Sequence, residues 1–323
     1  MIYPIKFHPI LKQTIWGGDK INQLKGISDG QPAVGESWEI SAVEGFESVV
    51  ANGAYSGYTL SRLVKLLKDE LVGTDNYERF GAKFPLLVKF IDAHDDLSIQ
   101  VHPDDNLAMQ RHNSLGKTEM WYVLGADEGA RLIAGFSKKI SPKQYRDMVA
   151  DGTFVDALQT YYVKPGDVYY VPAGRVHSLG KGTMVAEVQE TSDLTYRIFD
   201  YNRKDKDGNL RPLHVAQAAD AIDFDDIAGE AKIDYPLIDN EPVEVVSSPK
   251  FTTSVYHLTA EVTCDYTDLD SFVILVCTEG ACQIMMDGAV ETLQAGETAL
   301  LPAIAKEVKL IPSKEATLLE IYT

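Results

Sequence analysis

The sequence predicts a mainly β protein, two β-barrels with a few helices attached to the N-terminal half. Three observations carry this. Short segments rich in β-branched and aromatic residues recur from Phe84 to Tyr322, separated by Gly, Pro and Asp, which is the spacing of antiparallel barrels and sandwiches. Helical periodicity is confined to a few stretches before residue 223. Two blocks of strands carry the same turn skeleton.

Taken in order, the first eighty residues mix loops, short strands and one helix. Leu60, Leu63, Val64, Leu67 and Leu71 fall on one helical face, with Thr59 or Ser61 as cap. Strands are then expected at FPLLVKFID, LSIQVHP, EMWYVLGA, RLIAGF, DVYYVPA, MVAEVQE and TYRIFDY. SPKQYRDMVADG reads as a helix with a Ser cap and Pro in its first turn, and PLHVAQAADAI as a shorter one. From about Asp234 to Pro249 the chain is acidic and Pro-containing, so a linker is expected there. More strands follow at FTTSVYHLTA, SFVILVC, ACQIMM, ETLQAG, ETALLPA, EVKLI and ATLLEIY. The expected domains are residues 1–233 and 234–323. Aligned without a gap, Gly166 matches Gly296, Asp167 matches Glu297, Pro172 matches Pro302 and Ala173 matches Ala303. Gly174 meets Ile304 and His177 meets Glu307, so the second block keeps the turns and loses the histidine.

The chain has 323 residues and a net charge of −18. That length can bury a sizeable core, and the acidity argues against nucleic-acid and anionic-membrane partners. An anionic substrate must be drawn in by a local cluster of Lys and Arg. No stretch approaches the ~20 apolar residues of a membrane span, and Pro4 and Pro9 make the N-terminus a poor signal peptide. Three cysteines without a CxxC read as reduced thiols, from which a cytoplasmic location is expected.

Chemistry concentrates between residues 98 and 203. Gly166 allows a tight turn, and Pro172 and Gly174 force a second one that delivers His177 to a barrel interior. In LSIQVHPDD, strand alternation puts Ser98, Gln100 and His102 on one face. Glu119 opens the strand EMWYVLG. A Gln, two His and a Glu could converge on one divalent metal, with zinc, manganese, iron or cobalt all suited to N/O ligands. Gln is an unusual zinc ligand. His8, His94, His112, His214 and His257 stand outside such motifs and read as ordinary structural residues. Glu187 and Gln189 share a strand face and can point into the barrel, where a carboxylate needs a partner. Lys117, Arg197 and Arg203 lie beside the metal motifs, and the arginine fork suits phosphate. The bland alternative for Arg197 and Arg203 is ion pairing with Asp193, Asp200 or Asp205.

The segment Gly166-x5-Pro172-x-Gly174-x2-His177 resembles the second signature of the cupin superfamily, which implies jelly-roll barrels. More narrowly, QVHPDD, GKTEMWYVL, PAGRVHSLG and TSDLTYRIFDYNR resemble the type I mannose-6-phosphate isomerases in their short bacterial form. The resemblance runs from TIWGG to about Ala221, with four motifs in the right order; the C-terminal block matches by architecture only. It implies one Zn2+ per chain on Gln100, His102, Glu119 and His177, other divalent metals being acceptable, and a catalytic, phosphate-facing Arg197. Ser98, Lys117, Glu187 and Arg203 match further active-site positions in spacing, and Lys89 does so by its distance before LSIQVHP. Longer members carry an aromatic residue where this chain has Leu179.

The implied reaction interconverts mannose 6-phosphate and fructose 6-phosphate through an enediolate. Glu187 is the candidate base, a metal-bound water or hydroxide being the alternative, and Lys89, Ser98 and Arg203 are candidate substrate contacts. Two other readings compete: another metallo-cupin enzyme, such as a dioxygenase or decarboxylase, and a non-catalytic sugar-binding bicupin. A monomer or homodimer is expected.

Overall fold

The computed structural model describes residues 3–204, 207–227 and 231–323. The chain is mainly β, in several antiparallel sheets. A seven-stranded sheet runs in the order Lys232–Ile233, Val168–Val171, Glu119–Ala126, Thr183–Glu190, Leu86–Ala93, Val34–Ile40 and Ile10–Gly18. A five-stranded sheet runs Leu158–Tyr162, Arg131–Phe136, His177–Leu179, Ile99–Val101 and Tyr196–Phe199. Trp121, Val185 and Ile91 of the first sheet and Leu132, Ala134 and Leu179 of the second belong to one apolar cluster between them.

Helices back the five-stranded sheet. Pro142–Asp151 starts in a full capping box, Ser141 and Gln144 each satisfying the other's backbone N–H. With Val215–Ala221 it covers an apolar cluster that includes Ile99, Val101, Tyr196 and Ile198. The helix expected near Leu60 spans Leu60–Leu67 and is capped by Thr59, which accepts from Arg62 N. Leu71 lies in a separate short helix, Asp69–Val72. The helix Asp105–His112, capped by Asp104, was not expected, because its burial is confined to Ala108 and it shows no apolar stripe.

The C-terminal half supplies seven strands of a nine-stranded sheet, which Ile5–His8 and Val49–Val50 complete. SFVILVC and ACQIMM form one strand, Val273–Met286, and EVKLI and ATLLEIY form another, Glu307–Tyr322. Register shifts near Gly280 and Pro312 keep them paired through residues that look like breaks. The expected linker is corrected in part: Pro242–Ser247 is a strand paired with Thr252–Leu258. It sits at the sheet edge and begins with its proline, a place where a missing N–H is harmless. The halves share main chain. Ile5–His8, from the N-terminus, pairs with Thr298–Leu301 in the C-terminal sheet. Phe84 and Phe272 meet across the two halves with ring centroids 4.4 Å apart and planes tilted by 41°.

Candidate metal centre

Sheet register builds the site. In the seven-stranded sheet, Trp38, Lys89, Glu187 and Trp121 are successive cross-strand partners, forming one row. In the five-stranded sheet, His177, Gln100 and Arg197 form another. A cleft of about 160 Å³ is lined by both rows, His177 apart, and by Glu36, Ser98, Lys117, Leu179, Asp193, Thr195 and Arg211. The chain has three tryptophans, and Trp16, Trp38 and Trp121 all line this cleft.

At its inner end, His102, Glu119 and His177 bring ligand atoms within 4.8 Å of one another, all three buried. Glu119 Oε2 is 3.5 Å from His102 Nε2, and Oε1 is 3.3 Å from His177 Nε2. His102 Nδ1 donates to the Leu194 carbonyl and His177 Nδ1 to the Arg175 carbonyl, each at 2.8 Å. Those bonds fix the tautomer that leaves both Nε2 lone pairs facing Glu119. Gly174, at φ +91°, donates its N–H to the His102 carbonyl at 3.0 Å, so the turn before His177 also ties down His102. The Gln100 amide end lies 3.3 Å from His177 Nε2, and Ser98 Oγ donates to its other end at 3.2 Å.

Both Glu119 carboxylate oxygens are buried without a directed hydrogen bond, although Lys117 Nζ is 2.9 Å from Oε2. Two orphan carboxylate oxygens facing two imidazole lone pairs fit a divalent cation. Burial, then Glu187, pushes the Glu119 carboxyl up to about 7. Burial lowers His177 to about 4 and, with Lys117 adding to it, puts His102 well below its ordinary value. Both rings are therefore neutral, ligand-ready imidazoles at pH 7.

Glu187 accepts from Trp121 Nε1 at 2.9 Å and pairs with Lys89 Nζ at 3.0 Å. Burial alone would raise it, but Lys89 and then Lys117 outweigh burial and hold it well below the usual carboxylate range. Lys89 stays an ammonium because Glu187 and Glu36 overcome its own burial. Burying such ions costs several kcal/mol each even when they are paired. Gln189 braces the neighbouring turn through Glu190 and Ser192 carbonyls at 2.8 and 2.6 Å.

The arginines separate. Arg197 donates to the Pro212 carbonyl at 3.1 Å, its own N–H is held by His214 Nδ1, and its Nε is buried without a partner. Arg203 is engaged elsewhere. It pairs with Asp200 at 2.5 Å and donates to the Asp96 carbonyl, and it does not line the cleft. Asp200 also accepts from Arg211 Nε at 2.6 Å, and Arg211 does line the cleft. Asp205 lies outside the described residues. Sequence reading did not single out Arg211, Glu36 or the three tryptophans. The signal that could have found the last is that a chain so poor in Trp places two of the three in predicted or nearby strands around the metal motifs.

This is a mainly β protein with a buried candidate metal cluster beside a cleft lined by Lys89, Lys117, Arg197, Arg211 and three tryptophans. A family model described as the catalytic domain of type I phosphomannose isomerase matches residues 5–129. A mannose-6-phosphate isomerase of Streptococcus mutans is 36% identical over 306 residues, 95% of this chain and 94% of the relative. One of Bacillus subtilis is 33% identical over 309 residues, 95% of each chain. The crystal structure of the mannose 6-phosphate isomerase from Bacillus subtilis superposes with a TM-score of 0.89 at 33% identity, covering 99% of this chain and 100% of the other. The apo enzyme of Salmonella typhimurium shares the fold at a TM-score of 0.78 and 17% identity. The chain belongs to the mannose-6-phosphate isomerase family.

Proposed function

We propose that this chain interconverts mannose 6-phosphate and fructose 6-phosphate through an enediolate, with one divalent ion held by His102, Glu119, His177 and the Gln100 amide. The observation that carries the reading is the buried His–Glu–His cluster with orphaned carboxylate oxygens at the end of a cationic cleft, in a chain of this family. A divalent ion there polarises sugar oxygens and offsets enediolate charge. Zinc is the proposed ion, in keeping with the nitrogen and oxygen donors.

Arg197 is the proposed phosphate clamp, since it lines the cleft and its Nε is buried without a partner. Arg211 extends the positive wall, and Arg203 contributes through Asp200, which both arginines share. Fixing the phosphate fixes the reacting carbons. Lys117 can donate to a sugar oxygen beside the ligands, and Ser98 and Lys89 are proposed sugar contacts from the cleft wall. Leu179 and the tryptophans supply its apolar surface. Glu187 is the proposed proton acceptor: it is ionised at neutral pH, and its basicity rises when Lys89 turns to a sugar oxygen.

Two cupin-like barrels, residues 1–233 and 234–323, are the proposed organisation, the first with facing sheets on either side of the metal cluster. A cytoplasmic place is supported by three buried, unpaired cysteines. Conversion of mannose 6-phosphate by the purified chain, read by appearance of fructose 6-phosphate, tests the reading. Folded, metal-supplied protein with no turnover would end it.

A further inference from the structure

One side chain of the C-terminal half, Lys250, meets two carboxylates next to the candidate metal centre. Ser248 to Phe251 form a tight turn between the strands Pro242–Ser247 and Thr252–Leu258, closed by Ser248 N–H to the Phe251 carbonyl at 3.1 Å. Phe251 is buried in the core shared by the two halves. The turn therefore holds Lys250 at a fixed place. Lys250 Nζ lies 2.7 Å from Glu190 Oε1 and also donates to Asp105 Oδ2.

Those two carboxylates grip the segment that carries Lys117 into Glu119. Asp105 Oδ1 accepts from Gly116 N–H, and Glu190 Oε2 accepts from Thr118 N–H, both at 2.8 Å. Lys117 N–H is bonded to the Pro103 carbonyl at 3.1 Å, next to His102. Gly116 packs so closely that a Cβ there would meet the Asp104 carbonyl carbon at 2.6 Å. The strap is thus clamped on both sides of Lys117, by two carboxylates that face each other and share one ammonium. Removing that ammonium leaves two neighbouring negative charges, one of them buried, and they repel.

We infer that Lys250 is a positioning residue: the C-terminal half uses it to lock Asp105 and Glu190 against the Gly116–Thr118 strap, and so sets the geometry of Lys117 and Glu119. The inference rests on the metal-centre reading above. It gives the half without metal ligands a role in the reaction.

The test compares Lys250→Met, Lys250→Arg and Lys309→Met with the wild type. Lys309 pairs with Glu261 on the C-terminal sheet, away from the cleft. Three quantities are read: kcat and KM for mannose 6-phosphate, zinc affinity by chelator competition, and amide hydrogen exchange across residues 114–119. Partners that orient ligands typically cost about 10–100-fold in metal affinity or activity when removed. Lys250→Met should lower kcat and zinc affinity by amounts in that range, with KM within about threefold, and should speed exchange across the strap. Lys250→Arg should recover most of the loss, and Lys309→Met should match wild type. If Lys250→Met leaves exchange and zinc affinity unchanged, the inference is overturned. Asp105→Asn loosens the same clamp from its exposed side, and decides the matter by the same readouts if Lys250→Met does not fold. A wild type without isomerase activity would defeat the proposed reaction alone, since affinity and exchange still judge Lys250.

Discussion

The turn at Lys164–Asp167 and the turn at Gln294–Glu297 are closed by the same bonds, yet only the first opens a strand that pairs with a candidate ligand. Gly166 and Gly296 have φ of +86° and +85°. Asp167 N–H bonds the Lys164 carbonyl at 3.1 Å, and Glu297 N–H bonds the Gln294 carbonyl at 2.9 Å. Each acidic side chain accepts from the N–H three residues back, at 3.1 and 2.8 Å. Each turn also exchanges two backbone bonds with the neighbouring strand, through Val123 and Cys277 respectively. Following the register outward, Val171 pairs with Glu119 in the first half, and Leu301 pairs with Val273 in the second. Where the first half buries a carboxylate that faces two imidazoles, the second buries a valine among Tyr256, Leu275 and Leu318. His177 is fully buried, whereas Glu307 is exposed and lies opposite Asp265 in the strand register. The buried carboxylate of the second half, Glu320, is satisfied by Tyr266 Oη at 2.5 Å. Glu119 has no hydroxyl partner, and only the Lys117 ammonium, 2.9 Å from Oε2, stands against it.

The difference teaches that turn and site are separable. Glycine and an acidic residue are enough for the turn, because each acts on its own backbone neighbours. The site needs side chains from three separate strands and a loop to meet in a dry interior, and any one apolar replacement removes it.

The comparison can be broken from the ligand side first. His177→Ala should lose the ion and with it nearly all turnover, seen as metal content and activity falling together in folded protein. Glu187→Gln should retain the ion but lower kcat by roughly 10²–10⁴-fold if Glu187 transfers the proton; near-normal turnover would remove it from that role. Truncating a buried, charge-paired contact costs about 2–5 kcal/mol, so Arg197→Ala should lower kcat/KM for the phosphorylated sugar by roughly 30-fold or more. A smaller deficit on unphosphorylated mannose would show that the loss is phosphate binding.

Proton competition gives a gentler effect with a definite sign. The Glu119 carboxyl is pushed up, so as pH falls through about 7 the ion must displace its proton, while His177 stays neutral down to about 4. Zinc affinity should therefore fall by about tenfold per pH unit from pH 7 to 5, as one proton is released on binding. A flat profile there would contradict the raised carboxyl. The smallest effect belongs to the second half: Glu307→Ala should leave kcat within about twofold and stability within about 0.5 kcal/mol, as for an exposed surface residue.

Much of this was legible in the chain. His102, Glu119 and His177 lie in strings whose own turns and alternation aim them, so local chemistry sufficed to group them. Arg211, Glu36, Trp16 and Trp38 did not show themselves because they reach the cleft through the last two strands of the seven-stranded sheet and a loop, whose partners lie far away in sequence. The strand Pro242–Ser247 was hidden by its acidic, Pro-containing surroundings, and the long strands through Gly280 and Pro312 by residues that usually end strands. The link from Lys250 to Asp105, 145 residues apart, is a product of how the halves dock.

The most direct measurement is turnover of mannose 6-phosphate by chelator-stripped protein as zinc is added back in known amounts. The account predicts no activity at the start, a linear rise, and a break at one ion per chain. Full activity in stripped, metal-free protein would contradict it, as would folded protein that binds one zinc ion per chain and stays inactive.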